Sequence, residues 1–206
     1  AGGKPMRAEG QTAVAKAPKS AVRYTVKTVK WPTGTVRVYR FTKAGGGVLH
    51  AVADETQFIV ISGSLRATIG EKQERLGPLE VASRASGMLT ASEVVEDTMV
   101  VSWDVGPVST EAPTPTVVRP HDAKSSGDGV KNTMIRVYPF PGNSIRYAEA
   151  PGHWTSGPPN TGPADNYMYF LEGHVQYSQG GETYEVHGGD FVMQASGIPH
   201  TWDYKD

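Results

Sequence analysis

Residues 167–202 read YMYFLEGHVQYSQGGETYEVHGGDFVMQASGIPHTW. Tyr167, Tyr169 and Leu171 alternate with Met168, Phe170 and Glu172, which is the two-residue period of a strand in aromatic-rich sequence. Gly173 breaks the run and residues 174–177 resume it. Gly180-Gly181 supplies a hairpin turn before a strand over 183–186, and Gly188-Gly189-Asp190 turns the chain into 191–193. Gly197-Ile198-Pro199 is a rigid turn that delivers His200 into a further strand. Short, evenly spaced strands joined by glycine turns predict an all-β fold, an antiparallel barrel or double-sheet roll.

Working outward, residues 106–132 are rich in Pro, Thr, Ser and Gly and read as an extended linker, with His121 solvated in it. Further upstream, alternation starts at Tyr24 and passes through a turn at Trp31-Pro32-Thr33-Gly34 into a strand over 36–41. Residues 57–61, 65–69, 79–82 and 98–103 also read as strands, while 93–97 holds one helical turn at most. Residues 1–20 are Ala/Gly/Lys-rich and unpatterned, the composition of a flexible arm.

The chain also repeats itself. VRVYRF at 36–41 is echoed by IRVYPF at 135–140, FIVISG at 58–63 by MYFLEG at 168–173, and ASG at 85–87 by ASG at 195–197. Three landmarks in the same order predict a duplication, with barrels over 21–105 and 133–206. From tyrosine to glycine, the second copy of this spacing is eleven residues longer than the first. The difference reads as an insertion at 152–159, GHWTSGPP, placed to cover the second barrel's mouth.

Composition narrows the function classes. The 206 residues carry a net charge of −1, so there is no electrostatic footprint for nucleic acid or an anionic membrane. No apolar run is long enough for a membrane-spanning helix. The absence of cysteine excludes disulfides, thiolate metal sites and cysteine catalysis. The chain begins at Ala1 without methionine, and the expectation drawn from this is export, to a secreted or periplasmic location.

The stretch from Tyr169 to Trp202 resembles the core of a cupin barrel, and the duplication a bicupin. The family's second motif, G-x5-P-x-G-x2-H-x3-N, falls on Gly189, Ala195, Gly197, His200 and Tyr204, with Ala195 and Tyr204 in place of proline and asparagine. Its first motif, H-x-H-x3-4-E-x6-G, ends at Gly173 and puts Asn166 at the glutamate and Asn160-Thr161-Gly162 across the histidines. Of the four metal ligands that the resemblance implies, only His200 is present. In the first half His50 matches one histidine, while Val52, Thr56 and Thr90 stand at the other three ligand positions. That barrel is expected to be structural. The resemblance also implies pairing of barrels through their sheets, with a homodimer as a further possibility.

These residues frame the functional expectation. Amides replace imidazole and carboxylate, turning a metal cage into a polar pocket that suits hydroxyls and carbonyls. The leading expectation is a non-oxidative isomerase, epimerase or lyase acting on a sugar-like or phenolic small molecule. His200 is its acid/base, with Asn166 or Tyr167 as catalytic partner. His153, Trp154, Asn160, Tyr169, Gln194 and Trp202 are the candidate substrate-binding residues. His174 and His187 are expected to face outward or lie at an edge. One alternative is an oxidoreductase or dioxygenase holding one divalent transition metal (Fe, Cu or Mn) through His153 and His200. A second alternative is a non-catalytic carbohydrate-binding or structural cupin. No cofactor is fixed by the sequence.

Overall fold

β-branched and aromatic residues at alternate positions, punctuated by glycine, favour pleated strands almost throughout. The computed structural model describes residues 13–14, 23–43, 48–49, 57–69, 72–83, 92–105, 116–125, 134–140, 143–150 and 152–205, and these contain strands without a helix. In the first half, β1 (Ala13–Val14), β2 (Arg23–Trp31), β3 (Gly34–Thr42), β4 (Val48–Leu49) and β5 (Gln57–Ser62) are followed by β6 (Leu65–Ile69) and β7 (Lys72–Leu76). Next come β8 (Val81–Ser83), β9 (Ser92–Val94) and β10 (Thr98–Val105). With β11 (Thr116–Val118) they form two facing sheets, β1-β2-β3-β10-β5-β8-β11 and β4-β9-β6-β7. Tyr39, Phe41, Phe58, Val60 and Val100 of the first sheet close on Leu65, Ala67, Leu76 and Val94 of the second.

The second half holds β12 (Lys124–Ser125), β13 (Met134–Phe140), β14 (Asn143–Glu149), β15 (Trp154–Thr155), β16 (Asn166–Tyr169) and β17 (His174–Gln179). It ends with β18 (Glu182–His187), β19 (Phe191–Gln194) and β20 (His200–Tyr204). These pair as β12-β13-β14, β16-β19 and β15-β20-β17-β18, all antiparallel. Val175, Tyr177, Val186, Val192 and Trp202 fill the space between β16-β19 and the four-stranded sheet, with Met168 and Phe170 packed against them.

The two halves share a third core. Val29, Val36, Val38, Ile59, Val81 and Val101 present the outer face of the first half's large sheet to Tyr138, Ile145 and Phe191 of the second. Hydrogen bonds cross the same boundary: the Tyr138 hydroxyl donates to Leu79 O at 2.7 Å and Trp103 Nε1 donates to Tyr167 O at 3.0 Å.

Three expectations change and one strand is added. Part of the proposed linker joins the sheets, since β11 pairs with β8 and β12 with β13, and Val117 and Val118 pack against core clusters. Leu79 lies in a turn with φ 61, before its strand begins. β7, whose KQERL is mostly charged and exposed, has no apolar period to mark it. Finally, the repeat aligns differently. The hairpin β13–β14 is the counterpart of β2–β3, each with a short strand on its first arm, so IRVYPF matches β2. Measured from β3 and β14, the connections to the next barrel strand are 43–56 and 150–165, a difference of two residues. The eleven-residue insertion therefore disappears. The glycine landmark holds, with φ 76 at Gly63 and 87 at Gly173, a left-handed conformation that other residues adopt at a cost.

Candidate functional site

Period-two geometry assigns the side chains of the second barrel to faces. On β17, Val175, Tyr177 and Gln179 are buried while their neighbours are partly exposed. On β20, His200 and Trp202 take the same inward face. In register, Tyr177 opposes Trp202 and Gln179 opposes His200. The Tyr177 and Trp202 rings stack with centroids 4.0 Å apart, and Phe170 lies 5.6 Å from Trp202. This aromatic layer is a packed floor. Above it the lining turns polar.

The polar end consists of His200, Gln179, Gln194, Asn166 and Asn160. His200 is 7% exposed, and its Nδ1 lies 3.1 Å from Ile198 O. A carbonyl accepts only, so Nδ1 is the protonated nitrogen in that contact and the neutral ring keeps its lone pair on Nε2. Gln179 is buried beside it, and its Oε1 accepts from the Tyr177 hydroxyl at 2.7 Å and from Ala195 N–H at 2.9 Å. Burial pushes the Tyr177 phenol well above its ordinary range, which keeps it a donor. Two donors on Oε1 fix the Gln179 amide with its NH2 on the opposite side. Gln194 is buried and opposes Asn166 across β19–β16. Asn160 opposes His200, exchanging backbone bonds of 3.3 and 3.0 Å. Residues directly opposite share a face, so Asn160 shares the face of His200 and Asn166 that of Gln194. Gly162 closes the ring: its carbonyl accepts Gly197 N–H at 2.9 Å, and a Cβ there would lie 3.4 Å from Gln194 Nε2.

The ladders therefore pair His200 with Asn160 and Gln194 with Asn166, with Asn160 and Asn166 exposed and His200 and Gln194 buried, and the other predicted residues lie elsewhere. Tyr167 and Tyr169 point the opposite way, into the core between the halves. Tyr167 packs 5.7 Å from Trp31 and bonds Thr33 through its hydroxyl, and Tyr169 packs 4.9 Å from Phe191. Both faces of β16 are covered, so the alternation there did not tell which was the pocket face. Trp202 belongs to the floor and offers no open stacking face.

The expected lid is also corrected. Trp154 and Thr155 form β15, which runs along β20 with Trp154 opposite Tyr204. His153 is exposed and lies beyond that pair, four or more residues along the strand from His200, which is about 13 Å or more at ~3.3 Å per residue. The two histidines do not share a ligand sphere. The Trp154 side chain and residues 50–56 and 84–91, with His50, Val52, Thr56 and Thr90, lie outside the described residues. His174 and His187 lie on the outer side of β17–β18, stacked 4.4 Å apart, with Glu185 2.5 Å from His174.

Two contributions escaped the sequence reading. Gln179 carries no motif; only its place at the inward position two beyond Tyr177 marks it. Asp165 ties the rim together, its carboxylate accepting Ser196 N–H at 2.8 Å and the Thr33 hydroxyl at 3.3 Å. Thr33 comes from the first half, so part of the rim is supplied by the other barrel. As a metal site the donor set does not fit. It has one imidazole among neutral amides, and among the described residues no cluster of three His, Cys, Asp or Glu side chains converges.

No family model and no curated protein matches the chain. Solved structures do. Oxalate decarboxylase from Bacillus subtilis superposes with a TM-score of 0.76 at 11% identity, over 100% of this chain and 74% of that one. Ylba from E. coli gives 0.62 at 15% identity over 98% and 85% of the two chains. A cupin 2 conserved barrel domain protein from Leptotrichia buccalis gives 0.50 at 11% identity, over 100% and 92%. At these identities the likeness is one of fold.

Proposed function

Given that this chain has the cupin fold, all-β with two barrels in tandem, we propose that its second barrel binds an uncharged, hydroxyl- or carbonyl-bearing small molecule and performs non-oxidative proton transfer on it. His200 is the acid/base. The observation that carries this reading is the anchoring of His200 Nδ1 to Ile198 O, which holds Nε2 as the basic atom among amide side chains. Gln179, Gln194, Asn160 and Asn166 supply donors and acceptors without charge, which matches sugar-like hydroxyls and polarised carbonyls better than a charged substrate. In the reaction, Nε2 takes a proton from a carbon beside the substrate carbonyl while amide N–H groups hold the carbonyl oxygen. The imidazolium then returns that proton to a neighbouring atom in an isomerisation, or to a departing hydroxyl in a lyase reaction. With His200 the one imidazole among the described lining residues and the Asp165 carboxylate engaged by Ser196 N–H and Thr33, one-base chemistry is favoured over a two-base epimerase.

The test is a screen of neutral sugars, hydroxy-ketones and phenols by the side-chain amide shifts of Gln179 and Gln194. Each hit is then incubated with enzyme in D2O. Wild-type protein should introduce deuterium next to the carbonyl, and His200→Gln should bind without exchange. Exchange that persists in His200→Gln would overturn the role of His200. Binding without any exchange by wild type would favour a non-catalytic carbohydrate-binding cupin, a reading supported by the same neutral lining.

A further inference from the structure

His200 follows a tight turn, and the place of that turn sets what its ring can bond. Ile198 N–H donates to Ala195 O at 3.4 Å and Gly197 takes φ 70, a type II turn with glycine at the position that needs a positive φ. Three successive N–H groups of the turn are bonded outside it. Ala195 N–H donates to Gln179 Oε1 at 2.9 Å, Ser196 N–H to Asp165 Oδ1 at 2.8 Å and Gly197 N–H to Gly162 O at 2.9 Å. Ile198 precedes a proline, which confines it to extended backbone. Its carbonyl, 3.1 Å from His200 Nδ1, is thus carried on a short, stiff arm from an anchored turn.

The three anchors differ in kind. Gln179 and Gly162 are neutral and belong to the second half, whereas Asp165 accepts as a carboxylate, which makes the stronger bond. Asp165 also reaches the first half. Its Oδ2 accepts the hydroxyl of Thr33 at 3.3 Å, and Thr33, in the turn between β2 and β3, accepts in its turn from the Tyr167 hydroxyl. Tyr167 is held in the core between the halves, 5.7 Å from Trp31 and with its carbonyl accepting from Trp103 Nε1 at 3.0 Å. A hydroxyl that accepts one bond while donating another is polarised toward its acceptor, so each bond strengthens the next.

We propose that Asp165 and Thr33 are positioning residues for His200, so that the first half sets the tautomer of the imidazole in the second. This rests on the reading of His200 as the acid/base. The element with two states is the neutral ring itself, protonated on Nδ1 or on Nε2. With the turn held, Ile198 O accepts from Nδ1–H and Nε2 stays basic. With Ser196 released, the turn drifts from the ring and the proton passes to Nε2, removing the lone pair that takes the substrate's proton. Neither Asp165 nor Thr33 acts on the substrate in this scheme.

The test uses the full chain labelled with 15N, without ligand, at a pH above the imidazole's titration. The ring-nitrogen shifts of His200, assigned by comparison with His200→Gln, then report the tautomer ratio. Wild type should show Nδ1–H as the dominant form. The ratio of Nδ1–H to Nε2–H should fall by about tenfold in Asp165→Ala and about threefold in Thr33→Val, as for loss of a charge-assisted and of a neutral hydrogen bond. Thr33→Ser, which keeps the hydroxyl, should match wild type. Thr33 is exposed in a hairpin turn, so Thr33→Val should keep the fold, and a melting curve beside each spectrum checks this. An unchanged ratio in both Asp165→Ala and Thr33→Val overturns the proposal and leaves the role of His200 standing. A fall confined to Asp165→Ala, or one as large in Thr33→Ser as in Thr33→Val, overturns the first half's control. A wild-type ring with its proton on Nε2 overturns both this proposal and the role of His200.

Discussion

Replacing Tyr138 tests whether the two halves form one cooperative body. Its side chain is fully buried among Val29, Val36, Val38, Ile59 and Val81 of the first half, and its hydroxyl bonds Leu79 O at 2.7 Å. Tyr138→Phe keeps the packing and leaves the Leu79 carbonyl without that donor, at a cost of about 1–2 kcal/mol. Tyr138→Ala also opens a cavity at the junction, for which large aromatic truncations cost about 3–5 kcal/mol, so the total is about 4–7 kcal/mol. With a urea slope of about 2–3 kcal/mol per molar for a chain of this size, the midpoint should fall by about 2 M. Trp31 and Trp103 report on the first half and Trp154 and Trp202 on the second, so fluorescence follows both while far-UV circular dichroism follows the strands. Wild type should unfold in one transition by both probes, and Tyr138→Ala should shift that transition whole. A biphasic curve in which only the second half's phase moves would refute the shared core.

Other consequences follow from single sites. His200→Ala should remove ligand-linked proton transfer while leaving stability within about 1–2 kcal/mol, checked by thermal melting beside the exchange assay. Gly63→Ala forces a Cβ to 2.1 Å from Asp97 O at φ 76, so it should cost about 3 kcal/mol or more, where Ala in place of an ordinary strand glycine would stabilise; a melting temperature near that of wild type would contradict the geometry. Hydrogen bonds from Gln176 and then His174 hold the Glu185 carboxyl below its ordinary value of 4.5, so its contribution is complete above that pH and fades as the pH falls through the lower, folded value. Glu185→Gln should therefore flatten the acid limb of a melting-temperature profile, and an unchanged limb would count against the pairing. Gln179→Leu should weaken ligand binding by removing a neutral donor that Tyr177 and Ala195 hold in place, with the Gln194 amide shift as readout.

Residues 167–202 carried the fold because their turns are glycines whose positive φ is visible as residue type, at Gly173, Gly180, Gly181, Gly189 and Gly197. The motif position of His200 likewise led to the polar end of the barrel. The wrong assignments share a physical cause. A strand covered on both faces reads as an unbroken apolar run, and period two then gives two faces without saying which encloses the pocket. Tyr167 and Tyr169 turn into the core between the halves for that reason, whereas Asn166 takes its place from the motif spacing and opposes Gln194 across β16–β19. The repeat was misaligned because β2 and β3 are adjacent arms of one hairpin with similar patterns, and IRVYPF matches either. His153 was misplaced through that same error, since the supposed insertion was what brought it over the barrel.

The face that joins the halves has a consequence during synthesis. Val29, Val36, Val38, Ile59 and Val101 leave the ribosome long before Ile145 and Phe191, which cover them. Roughly ninety residues separate Val101 from Phe191, and at about 5–20 residues per second the delay is on the order of 5–20 s. Through that interval the nascent first barrel carries an apolar sheet face with nothing against it, a surface that chaperones bind and that neighbouring nascent chains on one messenger present to each other. Yield from a cell should thus depend on elongation rate and holdase supply, even where the finished protein is stable.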